Sequence, residues 1–313
     1  MNMQDKGRRL TVLLVAAALV LAGVLTAVFR SGGGEPAGRD YVAVVRIDGA
    51  IYGGAEAGGL LAQQQGTASE RVMRELREAR LDPHAKAVLL RVNTPGGSAA
   101  AAQEIAEEVD KLRSGGKPVV VSMGDLCASA GYWIASRGDY LFASPASMTG
   151  SIGVYIDYNN IEELMDKLGV RNEKIKSGAH KDILSMFRPM TEDERAMLQQ
   201  MVDDIYNQFI RTVADGRRMD ESRVRALADG RIFTGRQALD EGLIDALGNY
   251  YDALNYAGSR AGFADGDVPV RSYGAEHPLS GLLAAEADAV GRRAAEGMMD
   301  RMTQAAGGAP VVK

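Results

Sequence analysis

Residues 89–98 read Leu-Leu-Arg-Val-Asn-Thr-Pro-Gly-Gly-Ser, an apolar run that ends in a proline and two glycines. The segment Ala87–Val92 predicts a buried strand, and Ala99–Leu112 predicts a helix directly after the turn. Glycines at such a junction let the backbone bend with its N–H groups exposed at a helix N-terminus, where they can bind an oxyanion. Taken alone, the Pro-Gly-Gly turn also fits an ordinary strand-to-helix connection.

Short apolar runs and helical patterns alternate on both sides of this turn, as they do in α/β proteins. Thr191 and Glu194 have the spacing of a capping box, which predicts the start of a mostly helical region that continues to Arg236. Further strands are predicted at Tyr41–Ile47, Pro118–Met123, Asp139–Ala143 and Ile152–Ile156, and an amphipathic helix at Ser69–Leu81.

A second segment with chemical potential is Met123–Ala135, in which small residues flank Ser129 between a predicted strand and an apolar helix. A serine in this setting can lie exposed on a sharp turn with room for a substrate carbonyl. The alternative is that Ser129 is an ordinary helix N-cap. The chain's single cysteine, Cys127, lies two residues earlier and is interpreted as a small buried residue, with a second nucleophile as the alternative.

A third segment, Ser177-Gly-Ala-His-Lys-Asp182, offers two candidate general bases side by side. His180 has an ordinary pKa of about 6.5, which favours it at neutral pH. An unperturbed lysine is neutral in only about 4 of 10,000 molecules at pH 7, and lowering its pKa to about 7 requires roughly 4.6 kcal/mol. These residues by themselves therefore leave the choice between His180 and Lys181 open.

In this order the segments resemble the signal peptide peptidase A family, and the resemblance covers roughly residues 41–257. It rests on the turn at residues 93–98, on Ala128–Ala135, on Thr149–Val154, on Lys176–Asp182 and on Gly230–Asp245.

The resemblance implies a serine endopeptidase with a Ser/Lys dyad and neither a cofactor nor a metal ion. Ser129 would be the nucleophile and Lys181 the general base, with Ser151 orienting the lysine amine. Gly96 and Gly97 would donate backbone hydrogen bonds to the oxyanion. The implied fold is a Clp protease/crotonase-like spiral of β-β-α units, whose members commonly assemble into homo-oligomeric rings.

Two positions depart from the family pattern. Ala130 stands where a glycine usually follows the nucleophile, and Cys127 stands where a small residue without a thiol is usual. The methyl group of Ala130 could narrow the site or shift the turn.

The N-terminal sequence predicts a membrane anchor. Leu10–Phe29 is an uncharged apolar stretch, and about 20 helical residues span the roughly 30 Å of bilayer hydrocarbon. Lys6, Arg8 and Arg9 precede it, so the positive-inside rule predicts a single-pass cell-membrane protein with its catalytic domain outside the cytoplasm. A cleaved signal peptide is the alternative.

The predicted organisation is a cytoplasmic N-terminus and transmembrane segment at residues 1–30, a flexible linker at 31–40, a protease domain at 41–274 and a helical tail at 275–313. Within the tail, Leu279–Met302 has apolar residues at helical spacing and the last residues are small. Two hypotheses fit this tail: a segment that enters a catalytic groove and is trimmed, or an oligomerisation helix with a frayed end.

The 313 residues carry a formal net charge of −5, which gives no reason to expect nucleic acid as a partner. The resemblance implies remnant signal peptides and other membrane-associated polypeptides as substrates, and the apolar or small residues around Ser129 favour cutting at apolar or small side chains. An acyl-CoA enzyme of the crotonase type shares the oxyanion turn, but the predicted anchor argues against it. A catalytically silent membrane-anchored scaffold is the other alternative.

Overall fold

The computed structural model describes residues 38–55 and 66–273. Apart from residues 38–40, these all fall within the predicted protease domain. The predicted transmembrane segment, most of the linker and the C-terminal tail lie outside the described residues. Among the residues described, no helix is both long enough and apolar enough to span a bilayer.

The described chain mixes strands and helices along its length. The strands are β1 (Tyr41–Asp48), β2 (Ala50–Tyr52), β3 (Gly66–Ala68), β4 (Ala85–Thr94), β5 (Val119–Ala128), β6 (Tyr140–Ala143), β7 (Met148–Gly150), β8 (Ile232–Thr234), β9 (Ala246–Leu247) and β10 (Val270–Ser272). The helices are α1 (Ser69–Leu81), α2 (Ala99–Ser114), α3 (Ala130–Ala135), α4 (Glu162–Lys167), α5 (Glu192–Arg217), α6 (Glu221–Leu227), α7 (Gly235–Asp240) and α8 (Tyr250–Arg260).

In the described residues the main sheet follows the order β10-β1-β4-β5-β6-β9, with every neighbouring pair parallel. Strand β7 leaves this path: it pairs in parallel with the end of β5 and antiparallel with β8. A short second sheet joins β2 to β3. The departure of β7 is what brings a further segment of chain to the end of β5.

Both faces of the central strands are covered, which explains their continuous apolar sequences. Alternate side chains of β1, such as Val45 and Ile47, pack on one face with residues of α1, α2, α3 and α5. The intervening Val42 and Val44 pack on the other face with α8. Because both faces are buried, the sheet is a rigid support. It holds the ends of the strands and the loops that follow them in place.

The α/β class predicted from sequence is confirmed, and the capping box at Thr191 and Glu194 is present at the start of α5. The predicted strand at Ile152–Ile156 is wrong, because the extra strand, β7, ends two residues earlier at Gly150. Ser151 follows it with a φ of 49°, which turns the chain out of the extended conformation. Tyr155 and Ile156 are exposed, so this apolar run has no sheet partner in the described residues.

Candidate active site

Ser129 lies on the sharp turn between β5 and α3. Its φ of 53° and ψ of −122° lie outside the regions that non-glycine residues prefer, a kind of strain that concentrates at functional sites. It occupies the N-cap position of α3, yet its side chain makes no capping hydrogen bond. Its backbone N–H donates to the Gly150 carbonyl oxygen at 2.9 Å, which fixes the turn against β7. The interpretation of Ser129 as an ordinary capping serine therefore does not fit its geometry.

A cavity of about 860 Å³ opens above Ser129. Ser151 and Gly97 also line it, so the structure brings together three of the five residues singled out for the site. Much of its wall is apolar or aromatic. The residues that contribute this part of the wall include Ala99, Ala130, Trp133, Val154, Tyr206 and Phe209. Trp133 and Phe209 stack with their ring centroids 4.6 Å apart, which joins α3 to α5 at the cavity wall.

The two glycines predicted to bind an oxyanion differ in the state of their N–H groups. The Gly96 N–H donates to Thr94 Oγ1 at 3.0 Å, and Gly96 itself is buried. The Gly97 N–H has no hydrogen-bond partner in the described residues, and Gly97 lines the cavity. Gly97 is therefore the glycine with a backbone donor available to a substrate.

Ala130 supplies a backbone donor that the sequence reasoning missed. As the first residue of α3, it has no residue one turn earlier in the helix to accept from its N–H. No other acceptor for this group is found in the described part of the chain, and Ala130 lines the cavity beside Ser129. The signal in the sequence was its position, because the residue after a helix N-cap has no acceptor for its N–H within the helix.

Gly97 is required by the close approach of β2 to the turn. A Cβ atom at this position would lie 2.0 Å from the Ile51 carbonyl oxygen. Ile51 N–H donates to the Gly96 carbonyl oxygen at 2.8 Å, and Ser98 N–H donates to the Ile51 carbonyl oxygen at 2.9 Å. These two bonds engage the backbone groups on either side of Gly97 and leave the Gly97 N–H itself unpaired in the described residues.

Ser151 lies one residue beyond Gly150, the residue that binds the backbone of Ser129. Its φ of 49° is again in the left-handed region, and its N–H donates to the Arg231 carbonyl oxygen at 2.8 Å. The neighbouring β7 and β8 thus hold Ser151 at the cavity wall in a strained conformation.

We expect Ser151→Ala to lower kcat by about tenfold or more while KM changes little, since a group that orients a base does not bind the substrate. Steady-state kinetics with a peptide substrate measures both constants. A variant with wild-type kcat would limit Ser151 to a role in packing.

Lys181 and His180, the two candidate bases, are both exposed on a turn. Neither lines the cavity, and no hydrogen bond or ion pair of the Lys181 side chain is found in the described residues. No histidine or lysine lines this cavity in the described ranges. The single chain therefore does not bring either candidate base to Ser129.

Cys127 is fully buried in the core on β5. Burial raises the pKa of its thiol well above the ordinary value, so that the nucleophilic thiolate is not formed at neutral pH. The interpretation of Cys127 as a small buried residue is confirmed.

Two aspartates, Asp157 and Asp229, also line the cavity. Hydrogen bonds from Arg231 lower the pKa of the exposed Asp229 to about 2, so this carboxylate is ionised and paired. Asp229 is therefore not placed to act as a neutral acid, and the groups beside Ser129 that can take part in acyl transfer are serines and backbone donors.

Comparison with known proteins identifies the class to which this fold and site belong. Residues 111–263 match the model of Peptidase family S49. The chain is 42% identical over 193 residues to "Putative protease slr0021" of Synechocystis sp., covering 62% of this chain and 69% of that protein. The chain belongs to peptidase family S49.

Other relatives narrow the class. The chain is 39% identical over 220 residues to "Protease 4" of Salmonella typhi, covering 70% of this chain. It is 41% identical over 181 residues to "Putative signal peptide peptidase SppA" of Enterococcus faecium, covering 58% of this chain and 53% of that protein. Within the family, the chain is an SppA-type protease. It matches only 34% of the length of the Salmonella protein.

Proposed function

We propose that this protease is a serine endopeptidase in which Ser129 attacks the scissile carbonyl. The observation that carries the proposal is the geometry of Ser129. Its backbone is strained and its side chain makes no capping hydrogen bond, and the cavity that it lines is also lined by Gly97 and Ala130, whose N–H groups are unpaired in the described residues. Two such donors beside a nucleophile stabilise the negative charge that develops on the carbonyl oxygen.

In the proposed reaction, the Ser129 Oγ–H proton passes to the neutral amine of Lys181 as the Oγ–carbon bond forms. The tetrahedral oxyanion accepts hydrogen bonds from Gly97 and Ala130. The C–N bond then breaks, and the protonated lysine returns its proton to the leaving amine. Water, deprotonated by the same lysine, hydrolyses the Ser129 ester and releases the acid product. Ser151 orients the lysine amine.

We further propose that Lys181 reaches Ser129 from a neighbouring copy of the chain in a ring. In support, residues 155–182, the segment that carries Lys181, expose a series of large apolar side chains. These include Tyr155, Leu168 and Ile175 at 80%, 64% and 107% exposure. None of the residues of α4 within this segment is buried. Apolar surface concentrated in this way is typical of a segment that packs against another protein.

The proposed substrates are remnant signal peptides and other membrane-associated polypeptides. The apolar wall of the cavity suits apolar side chains near the cut, since burying them there is favourable. The anchor predicted at residues 10–29 would hold the catalytic domain at the outer face of the cytoplasmic membrane and raise its effective concentration toward such substrates.

We also assign the fold to the Clp protease/crotonase-like spiral, with the branching of β7 from β5 to β8 as support.

Labelling with a fluorophosphonate, which reacts with activated serines, tests this function directly. We expect one adduct per chain by intact mass, located on Ser129 by peptide mapping, and none in Ser129→Ala. Ser259 offers a matched control, because it is an exposed helical serine on α8 whose hydroxyl donates to the Tyr256 carbonyl oxygen. Ser259→Ala should label like the wild type. An unlabelled wild-type chain that also fails to cleave peptides would favour the silent scaffold.

A further inference from the structure

Arg188 connects two carboxylates through a pair of forked hydrogen bonds. Its Nε and Nη2 donate to Asp182 Oδ2 and Oδ1 at 2.9 and 2.8 Å. Its Nη1 and Nη2 donate to Glu194 Oε2 and Oε1 at 2.8 and 2.5 Å. One planar guanidinium therefore holds two carboxylates in a fixed relative orientation, which a lysine at this position could not do.

The Glu194 end of this bridge is fixed to the protein core. Glu194 is 1% exposed, and its Oε2 accepts from the Thr191 N–H at 3.0 Å in the capping box that starts α5. Further along the same helix, Phe209 stacks on Trp133 of α3. The helix α3 begins directly after Ser129. The bridge is thus attached to the helix that forms one wall of the cavity.

The Asp182 end of the bridge lies on the turn that carries Lys181. Lys176 Nζ donates to Asp182 Oδ1 at 2.6 Å and to the Ala179 carbonyl oxygen at 2.8 Å, closing the turn from its other side. The Lys181 N–H donates to the Gly178 carbonyl oxygen at 3.2 Å. The backbone at Lys181 is therefore held on both sides, while its side chain is exposed and unpaired in the described residues.

Two features distinguish this network from an ordinary exposed ion pair: one partner is buried, and both carboxylates are ionised. Asp182 and Glu194 bind adjacent edges of the guanidinium and share Nη2, and one of the two partners, Glu194, is a buried carboxylate with a fixed position. Hydrogen bonds from Arg188 and Lys176 lower the pKa of Asp182, and those from Arg188 lower the pKa of Glu194, so both carboxylates are ionised at neutral pH.

We propose that Arg188 is a positioning residue for the general base: it fixes the Lys181 turn to the start of α5 through Asp182 and Glu194. This inference rests on the proposed role of Lys181. The amine lies at the end of a flexible side chain, so the geometry of proton transfer depends on where the backbone of the turn is held. Without the bridge, the turn keeps its bond to Lys176 and its own backbone bonds but loses its side-chain link to α5. Lys181 then samples positions from which it does not reach the Ser129 hydroxyl of the neighbouring copy.

The test compares Arg188→Ala, Arg188→Lys and Asp182→Asn with the wild type in the full-length protein. Because a displacement of about 1 Å in a reacting group can cost 100-fold in rate, we expect kcat to fall by about 10- to 100-fold with KM within about twofold. Arg188→Lys keeps the charge without the double fork and should not restore kcat. Arg223→Ala serves as a matched control, since Arg223 pairs with Glu241 on the surface away from the Lys181 turn.

A double variant separates positioning from general damage to the fold. If Arg188 acts through Lys181, Lys181→Ala/Arg188→Ala should label with fluorophosphonate as slowly as Lys181→Ala alone, because the two losses are not additive. A further fall in the double variant would assign Arg188 another role and overturn the proposal. Wild-type kcat in both Arg188→Lys and Asp182→Asn, with Lys181→Ala inactive, would overturn the positioning role and leave the proposed dyad intact. Activity retained in Lys181→Ala would overturn both.

Discussion

Replacing Ser129 with alanine is expected to lower kcat/KM for peptide cleavage by about 10⁴-fold or more, the loss seen when the nucleophile of a serine protease is removed. No other group in the described residues can take over the attack. Cys127 is buried with a raised pKa, and Ser151 is held by β7 and β8 at a separate point of the cavity wall.

The measurement is cleavage of a fluorogenic peptide with an apolar residue at the cut, with Ser259→Ala as the control. Thermal unfolding should show Ser129→Ala to be about as stable as the wild type, because the substitution keeps Cβ, leaves the strained φ of 53° in place and removes no capping hydrogen bond. A Ser129→Ala protein that cleaves at the wild-type rate would remove Ser129 from the mechanism.

Lys181→Ala is expected to lower kcat by about 10²- to 10⁴-fold, the usual contribution of a general base, whereas His180→Ala should retain most of its activity. The two residues are adjacent and both exposed, so each serves as the other's control. Activity should also rise toward alkaline pH, because only the deprotonated amine accepts the Ser129 proton and its neutral fraction grows with pH. An inactive His180→Ala beside an active Lys181→Ala would instead indicate a Ser/His site.

Mixing two inactive variants tests whether the lysine comes from another copy. If each site combines Ser129 of one chain with Lys181 of its neighbour, ring subunits that carry Ser129→Ala or Lys181→Ala in random order should form intact sites at about a quarter of the interfaces. Subunits must be co-expressed or exchanged before the assay. Activity that stays at the level of the separate variants would place both residues of the dyad in one chain.

Much of the α/β core could be predicted from sequence because its signals are local. The strand–turn–helix at residues 85–114 was predicted to within two residues at each end, since apolar runs and glycines mark its boundaries. Ser69–Leu81 was predicted without error, because its apolar face repeats at helical spacing. The motif around Ser129 indicated a turn but could not distinguish a capping serine from a nucleophile, which depends on its φ and ψ.

The predictions that failed or stayed open depend on contacts distant in sequence. The apolar residues 152–156 predict a strand, but β7 ends at Gly150 because Ser151 turns the chain and binds Arg231, which lies 80 positions later just before β8. The donors Gly97 and Ala130 were distinguished from Gly96 only by a hydrogen bond from Gly96 to Thr94. Nothing in the spacing of Lys181 and Ser129 indicates whether they meet within one chain, because that depends on an interface between copies.

The stack of Trp133 on Phe209 has a practical consequence. The chain contains a single tryptophan, and that residue lines the cavity above Ser129. All indole fluorescence of the protein therefore originates at the cavity wall. A peptide that enters the cavity changes the surroundings of this ring, so we expect its binding to be followed from the emission spectrum without an added dye. In Ser129→Ala, which would bind without turnover, the same signal gives the equilibrium dissociation constant of an uncut substrate.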